Sequence, residues 1–142
     1  MKNLLEVAIK IAVEAHSGQL DKAGQPYVLH PLKVMLSLNN EKDRVVGVLH
    51  DVIEDTDITY EYLKTNGFEG ETEILEALES VTKKEEETYD EFIDRVALNS
   101  IGKRVKLADL QDNMDLSRIT NPTTKDFERL KKYDKAKERL IK

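Results

Sequence analysis

The 142-residue sequence contains no cysteine. Disulfides, thiolate nucleophiles and cysteine-ligated zinc are therefore excluded, and a reducing compartment fits. Basic charge is also short: 22 Lys and Arg stand against 28 Asp and Glu, a net charge of −6. Non-specific binding to nucleic acid or to an anionic membrane needs a basic surface, so neither is expected as a partner. A small anionic ligand stays open where local lysine, arginine or metal charge outweighs the overall field. No apolar run approaches the length of a membrane span, and Glu6, Lys10 and Glu14 break up the N-terminal segment, which has no secretory h-region. The expected location is the cytoplasm. Alternating Thr/Val-rich runs of strand length, repeats and linkers are missing too.

What is present is a chain of 39% hydrophobic and 35% charged residues, long enough for one real core and too short for two. Apolar residues recur with helical spacing from Leu4 to Ala15. Gly18, Gly24 and Pro26 then predict a loop over 17–28, with a tight turn at Ala23-Gly24. Further helices are predicted from Pro31 to Leu38, from Glu41 through Ile53, and from the N-cap Thr59 to Lys64, closed by Asn66-Gly67. Others run from Glu71 to Val81, Thr88 to Asn99, Lys103 to Leu116 (after a break at Ile101-Gly102) and Thr124 to Ile141. The segment TKKEEE at 82–87 reads as a solvated connection. The expectation is a single all-α domain over 1–142 with seven or eight helices.

Chemistry concentrates in RVVGVLHDVIEDT, residues 44–56. On a continuous helix His50 and Glu54 fall one turn apart, as do Asp51 and Asp55, so four ligand-type side chains share one broad face. Carboxylates at a helix C-terminus oppose the macrodipole, a penalty that a bound cation reverses. In VKLADLQDNM, Asp109 is embedded among Val105, Leu107, Ala108 and Leu110, where a carboxylate needs a cation or hydrogen bonds. Asn113 lies one turn on, and Asp112 shares that side or faces water. His30 opens a helix beside Pro31. Together His30, His50, Asp51 and Asp109 offer two imidazoles and two carboxylates, a set that suits a divalent transition metal with open positions for water and substrate.

The order H…HD…D resembles that of the HD-domain metal-dependent phosphohydrolases. AHSGQLDKAGQPYVLHP, HDVIEDT and VKLADLQDNM narrow the resemblance to the hydrolase half of RelA/SpoT proteins and the small alarmone hydrolases, over residues 7–118. It implies an HD-domain fold in which His30, His50, Asp51 and Asp109 hold the metal, usually manganese, with another divalent ion as the substitute. It further implies that Glu54 and Asp55 position and activate water, and that Lys22, Tyr27 and Asn113 contact the nucleotide. The implied reaction is hydrolysis of the 3′-pyrophosphate of guanosine tetra- or pentaphosphate. Departures are Asp21, where the long hydrolases carry an arginine that stacks on guanine, and Leu110 and Asp115, where basic residues are common. No synthetase half is present in these residues, so synthesis from ATP is not expected.

Two other readings stay open: an HD nucleotidase that removes a terminal phosphate, and a metal- or nucleotide-sensing module without turnover. His16 is expected to cap or pack. Arg104, Lys106 and Arg118 carry no assignment, and nothing in the sequence specifies an oligomeric state.

Overall fold

Asn3 starts the first helix: its Oδ1 accepts the amides of Leu5 and Glu6, two of the donors that every helix start leaves unpaired. In the computed structural model, which describes residues 3–117 and 119–142, that helix is α1, Leu4–Ala15. Arg118 lies outside the described residues. Then follow α2 (Leu29–Leu36), α3 (Glu41–Leu49), α4 (Val52–Asp55), α5 (Tyr60–Leu63), α6 (Thr72–Ser80), α7 (Tyr89–Val96), α8 (Ser100–Asn113) and α9 (Thr124–Ile141). Among the described residues the architecture is all-α, with two of these helices only a single turn long and one isolated bridge, Leu20 to Pro26, inside the 17–28 loop. No helix among them is long and apolar enough to cross a membrane.

Helix α3 is the axis of the core. Val45, Val46, Val48 and Leu49 are fully buried, and α1, α2, α6 and α8 pack around them. Burial of each such side chain stabilises the fold by about 1.5–3 kcal/mol. Gly47 lets α2 approach: a Cβ there would lie 2.8 Å from Leu38 Cδ1.

The structure departs from the periodicity in two places. The helix expected from Glu41 through Ile53 is divided, with His50 and Asp51 in a turn between α3 and α4. The Gly47 carbonyl, which a continuing helix would pair with the Asp51 amide, instead accepts from His50 Nδ1 at 2.6 Å. Ile101-Gly102 is not a break but the first turn of α8, capped by Asn99, whose Oδ1 accepts the Gly102 amide at 2.8 Å. Glycine is required there because a Cβ would stand 2.1 Å from Ser80 Oγ on α6.

The 82–87 connection is anchored rather than merely solvated. Arg95 donates to the carbonyls of Glu79 and Thr82 and forks onto the Glu87 carboxylate at 2.7 and 2.9 Å. Elsewhere the expected cap forms at Thr59, Thr88 caps the helix it was expected to start, and Gly24 turns the loop with φ +81°. Helix α9, polar on most of its surface, lays Ala136 and Leu140 into the core and packs on α7 and α8.

Candidate functional site

Three elements bring four side chains to one point. His30 comes from the first turn of α2, His50 and Asp51 from the turn after α3, and Asp109 from the middle of α8. His30 Nε2 lies 2.8 Å from Asp109 Oδ1 and 3.8 Å from Asp51 Oδ2. His50 Nε2 lies 3.0 Å from Asp51 Oδ2 and 3.3 Å from Asp109 Oδ1. The division of the expected helix matters here, because the turn folds Asp51 back beside His50 instead of leaving it on the adjacent face.

The polar surroundings are dense. Tyr27 donates to Asp51 Oδ2 at 2.6 Å, and Lys106 donates to Asp109 Oδ2 at 2.9 Å. Asn113 Nδ2 donates to Asp109 Oδ1 at 2.9 Å. Burial by itself pulls the His50 pKa down, but the Asp51 and Asp109 carboxylates outweigh it and leave the imidazole well above its ordinary value. His30 is raised in the same way, against burial, by Asp109 and Asp112. Burial pushes Asp109 up, yet Lys106 and the two histidines hold it well below the usual carboxylate range. Asp51 is lowered against burial chiefly by His50.

The donor set fits a divalent cation. With Nδ1 committed to the Gly47 carbonyl, His50 presents its buried Nε2 inward, where it makes no well-aligned hydrogen bond but stands 3.0 and 3.3 Å from the Asp51 and Asp109 carboxylates. Ligand atoms of His30, His50 and Asp51 all lie within 4.8 Å of one another, as a single small ion requires.

Glu54 and Asp55 stand at the exposed edge of this cluster, with ligand atoms within 4.8 Å of each other and of one from Asp51. Their roles differ. Glu54 Oε1 accepts the Lys83 amide at 2.9 Å, fastening the 82–87 connection. Asp55, exposed at that edge, has its pKa raised by partial desolvation and by the Asp51 and Glu54 charges. Gln19 Nε2 donates to the Asp55 carbonyl while Gln19 Oε1 lies 3.0 Å from His16 Nδ1, so His16 packs beneath the acidic pair, its ring 5.1 Å from Tyr27.

Beside His30 opens a cavity of about 350 Å³ lined by Lys22, Tyr27 and Asn113, the residues expected to meet substrate, and by Asp21 and Asp115. Asp21 does not project as a free acid: its Oδ1 accepts the amides of Ala23 and Gln25 and shapes the turn. Leu110 is buried in the core. The far wall is α9, which contributes Asp126, Arg129 and Tyr133. Burial and then the Arg129 charge lower the Lys22 pKa, so the two cations face the same space, with Asp126 paired to Arg129.

The sequence reading passed over Arg129 and Tyr133, because a polar amphipathic helix carries no sign of which residues border a cavity. Lys106, ordinary in the sequence, is largely buried against Asp109 and lies 5.2 Å from the Phe92 ring centroid. Arg104 is bonded to the buried Asp43 at 2.6 and 3.0 Å and serves packing.

No family model matches the chain. It is 32% identical over 119 residues to the guanosine-3′,5′-bis(diphosphate) 3′-pyrophosphohydrolase of Aquifex aeolicus, covering 78% of this chain and 17% of that protein. It is 32% identical over 122 residues to the bifunctional (p)ppGpp synthase/hydrolase SpoT of Escherichia coli, again 78% of this chain and 17% of the relative. The chain thus spans about a sixth of the length of these two curated relatives. A solved structure of a metazoan SpoT orthologue described as hydrolysing ppGpp superimposes with a TM-score of 0.79 at 23% identity, covering 100% of this chain and 87% of that one.

Proposed function

The chain is an HD-type, RelA/SpoT hydrolase-like domain, and we propose that it hydrolyses the 3′-pyrophosphate of a guanosine tetra- or pentaphosphate, with manganese as its metal. The observation that carries this reading is the convergence of the buried His30 and His50 Nε2 atoms on the Asp51 and Asp109 carboxylates, beside a cavity lined by Lys22 and Arg129. His30, His50, Asp51 and Asp109 would hold the divalent cation, which when bound would supply Lewis acidity to activate water near neutral pH and offset phosphate charge.

The chain's own residues do the rest. Tyr27 fixes the Asp51 carboxylate through its 2.6 Å bond. Asp55, raised in pKa and at the cluster edge, takes the proton from the attacking water, a role that needs a base near the water and not an exceptional one. Glu54 orients the 82–87 connection through the Lys83 amide. Lys22 and Arg129 meet the negative charge of the nucleotide in the cavity, and Asn113 and Tyr133 line its wall. Such a substrate is a cytoplasmic nucleotide, and the proposed activity belongs to that compartment.

One observation favours a second reading. Where the long hydrolases carry a stacking arginine, Asp21 is bound into its own turn and offers the base no cation. A nucleotidase that releases a terminal phosphate from another nucleotide would need none. A product-resolved assay decides: with Mn²⁺ and guanosine 3′,5′-bis(diphosphate), the expected products are GDP and pyrophosphate. Orthophosphate as the product, or no turnover by Mn²⁺-loaded protein, overturns the proposal.

A further inference from the structure

The two cluster histidines are held from behind by different groups. His50 gives its Nδ1–H to the Gly47 backbone carbonyl, a neutral acceptor, at 2.6 Å. His30 has its Nδ1 2.6 Å from Asp112 Oδ2, a carboxylate one turn beyond Asp109 on α8. The His30 ring is thus gripped at both nitrogens by one helix, with Asp109 Oδ1 at 2.8 Å on Nε2. The ring is buried, and the Asp112 side chain is only 14% exposed. An imidazole that ligates through Nε2 must carry its proton on Nδ1, and a carboxylate accepting that proton fixes both the tautomer and the plane of the ring. Asp112 stands behind the ring, away from the point where the Nε2 atoms converge, so it acts through His30.

We propose that Asp112 is a positioning residue that locks His30 with Nε2 presented to the metal and strengthens it as a donor. The inference rests on the reading of His30, His50, Asp51 and Asp109 as a metal site, and it extends that site to a second layer of this chain's own residues. Positions 109 and 112 lie three apart on α8 and so share a face, which is why one helix can supply both a ligand and the support for another ligand.

The test is isothermal titration calorimetry of Mn²⁺ into the full chain, comparing wild type with Asp112→Ala and Asp112→Asn. Loss of such a supporting group weakens metal binding about 10- to 100-fold, the effect expected for Asp112→Ala. The amide oxygen of Asp112→Asn still accepts the Nδ1–H, so its affinity is expected to stay much closer to wild type. Visible absorption of the Co²⁺ complexes gives a readout that a purely structural role would not move: Asp112→Ala shifts the bands and Asp112→Asn keeps them. Should Asp112→Ala fail to fold, Asp112→Ser, too short to reach Nδ1, takes its place with the same expectation. Equal Mn²⁺ affinity in wild type and Asp112→Ala overturns the role of Asp112 while leaving the metal site standing. So does an Asp112→Asn variant as weak as Asp112→Ala. A wild-type chain that binds neither Mn²⁺ nor Co²⁺ overturns both the site and this inference.

Discussion

Tyr27 gives its hydroxyl proton to Asp51 Oδ2 at 2.6 Å, tying the 17–28 loop to the turn that carries His50 and Asp51. Burial first, and the Asp51 charge second, push the tyrosine pKa far above its usual value, so the donor stays protonated through the neutral and mildly alkaline range. Hydrogen bonds to a charged group contribute about 1.5–3 kcal/mol, so Tyr27→Phe should lower kcat/KM for pyrophosphate release by about 10- to 100-fold. The ratio to wild type should stay flat from about pH 6 to about pH 9, where neither partner titrates. Steady-state kinetics across that range check it, and an unchanged kcat/KM would remove Tyr27 from the site.

Lys106 and Asp109 form a pair buried on both sides, their side chains 13% and 6% exposed. Breaking such a pair from one end costs up to about 3–5 kcal/mol, although Asp109 keeps His30 and Asn113 as partners here. Lys106→Met should therefore lower the stability of the metal-free chain in urea by that order. Mn²⁺ at about a hundred times its Kd should restore about 2.7 kcal/mol by binding only the folded form. A metal-free loss below about 1 kcal/mol would show that Asp109 does not depend on Lys106.

Glu87 has its pKa held down to about 2, first by Arg95, in the fork that anchors the 82–87 connection. A folded pKa below the unfolded value of 4.5 means that the pair's stabilisation is fully present above pH 4.5. It fades as the pH falls through that value towards about 2. The gap in Tm between wild type and Glu87→Gln should accordingly be constant near neutrality and shrink across this window. A gap that does not change with pH would assign the effect of Glu87 to packing alone.

Gly102 and Ser80 meet where α8 crosses α6, and an added methyl group would fall 2.1 Å from Ser80 Oγ. Overpacking of this kind costs about 1–3 kcal/mol, which Gly102→Ala should show in chemical denaturation. Ser80→Ala in the same background should recover part of the loss, a coupling that a double-mutant cycle measures. Additive effects would mean that the two helices separate freely at this point.

Local signals were legible because they are made by neighbours in sequence. Thr59 and Thr88 cap the helices they begin, Gly24 turns the loop, and the valines of α3 lie in the core. His30, His50, Asp51 and Asp109 were legible as residue types without satisfactory solvated homes, and the structure gathers them. Illegible from spacing were features set by distant contacts. The Gly47 carbonyl is captured by a histidine side chain, so periodicity alone continued the helix through His50. Gly102 looked like a breaker because nothing near it in sequence shows Ser80 approaching. Asp112, Lys106 and Arg129 acquire their surroundings only when α8 and α9 close against the rest, and a surface-type charge in the sequence does not announce that.

The central claim is that residues 30, 50, 51 and 109 share one ion. The direct measurement is a crystal structure of the Mn²⁺-soaked protein with anomalous data at the manganese edge. The account predicts a single strong peak within bonding distance of His30 Nε2, His50 Nε2 and carboxylate oxygens of Asp51 and Asp109, about 2.0–2.3 Å from each. A peak bound instead at Glu54 and Asp55, or no peak between the two histidines at saturating Mn²⁺, would contradict it.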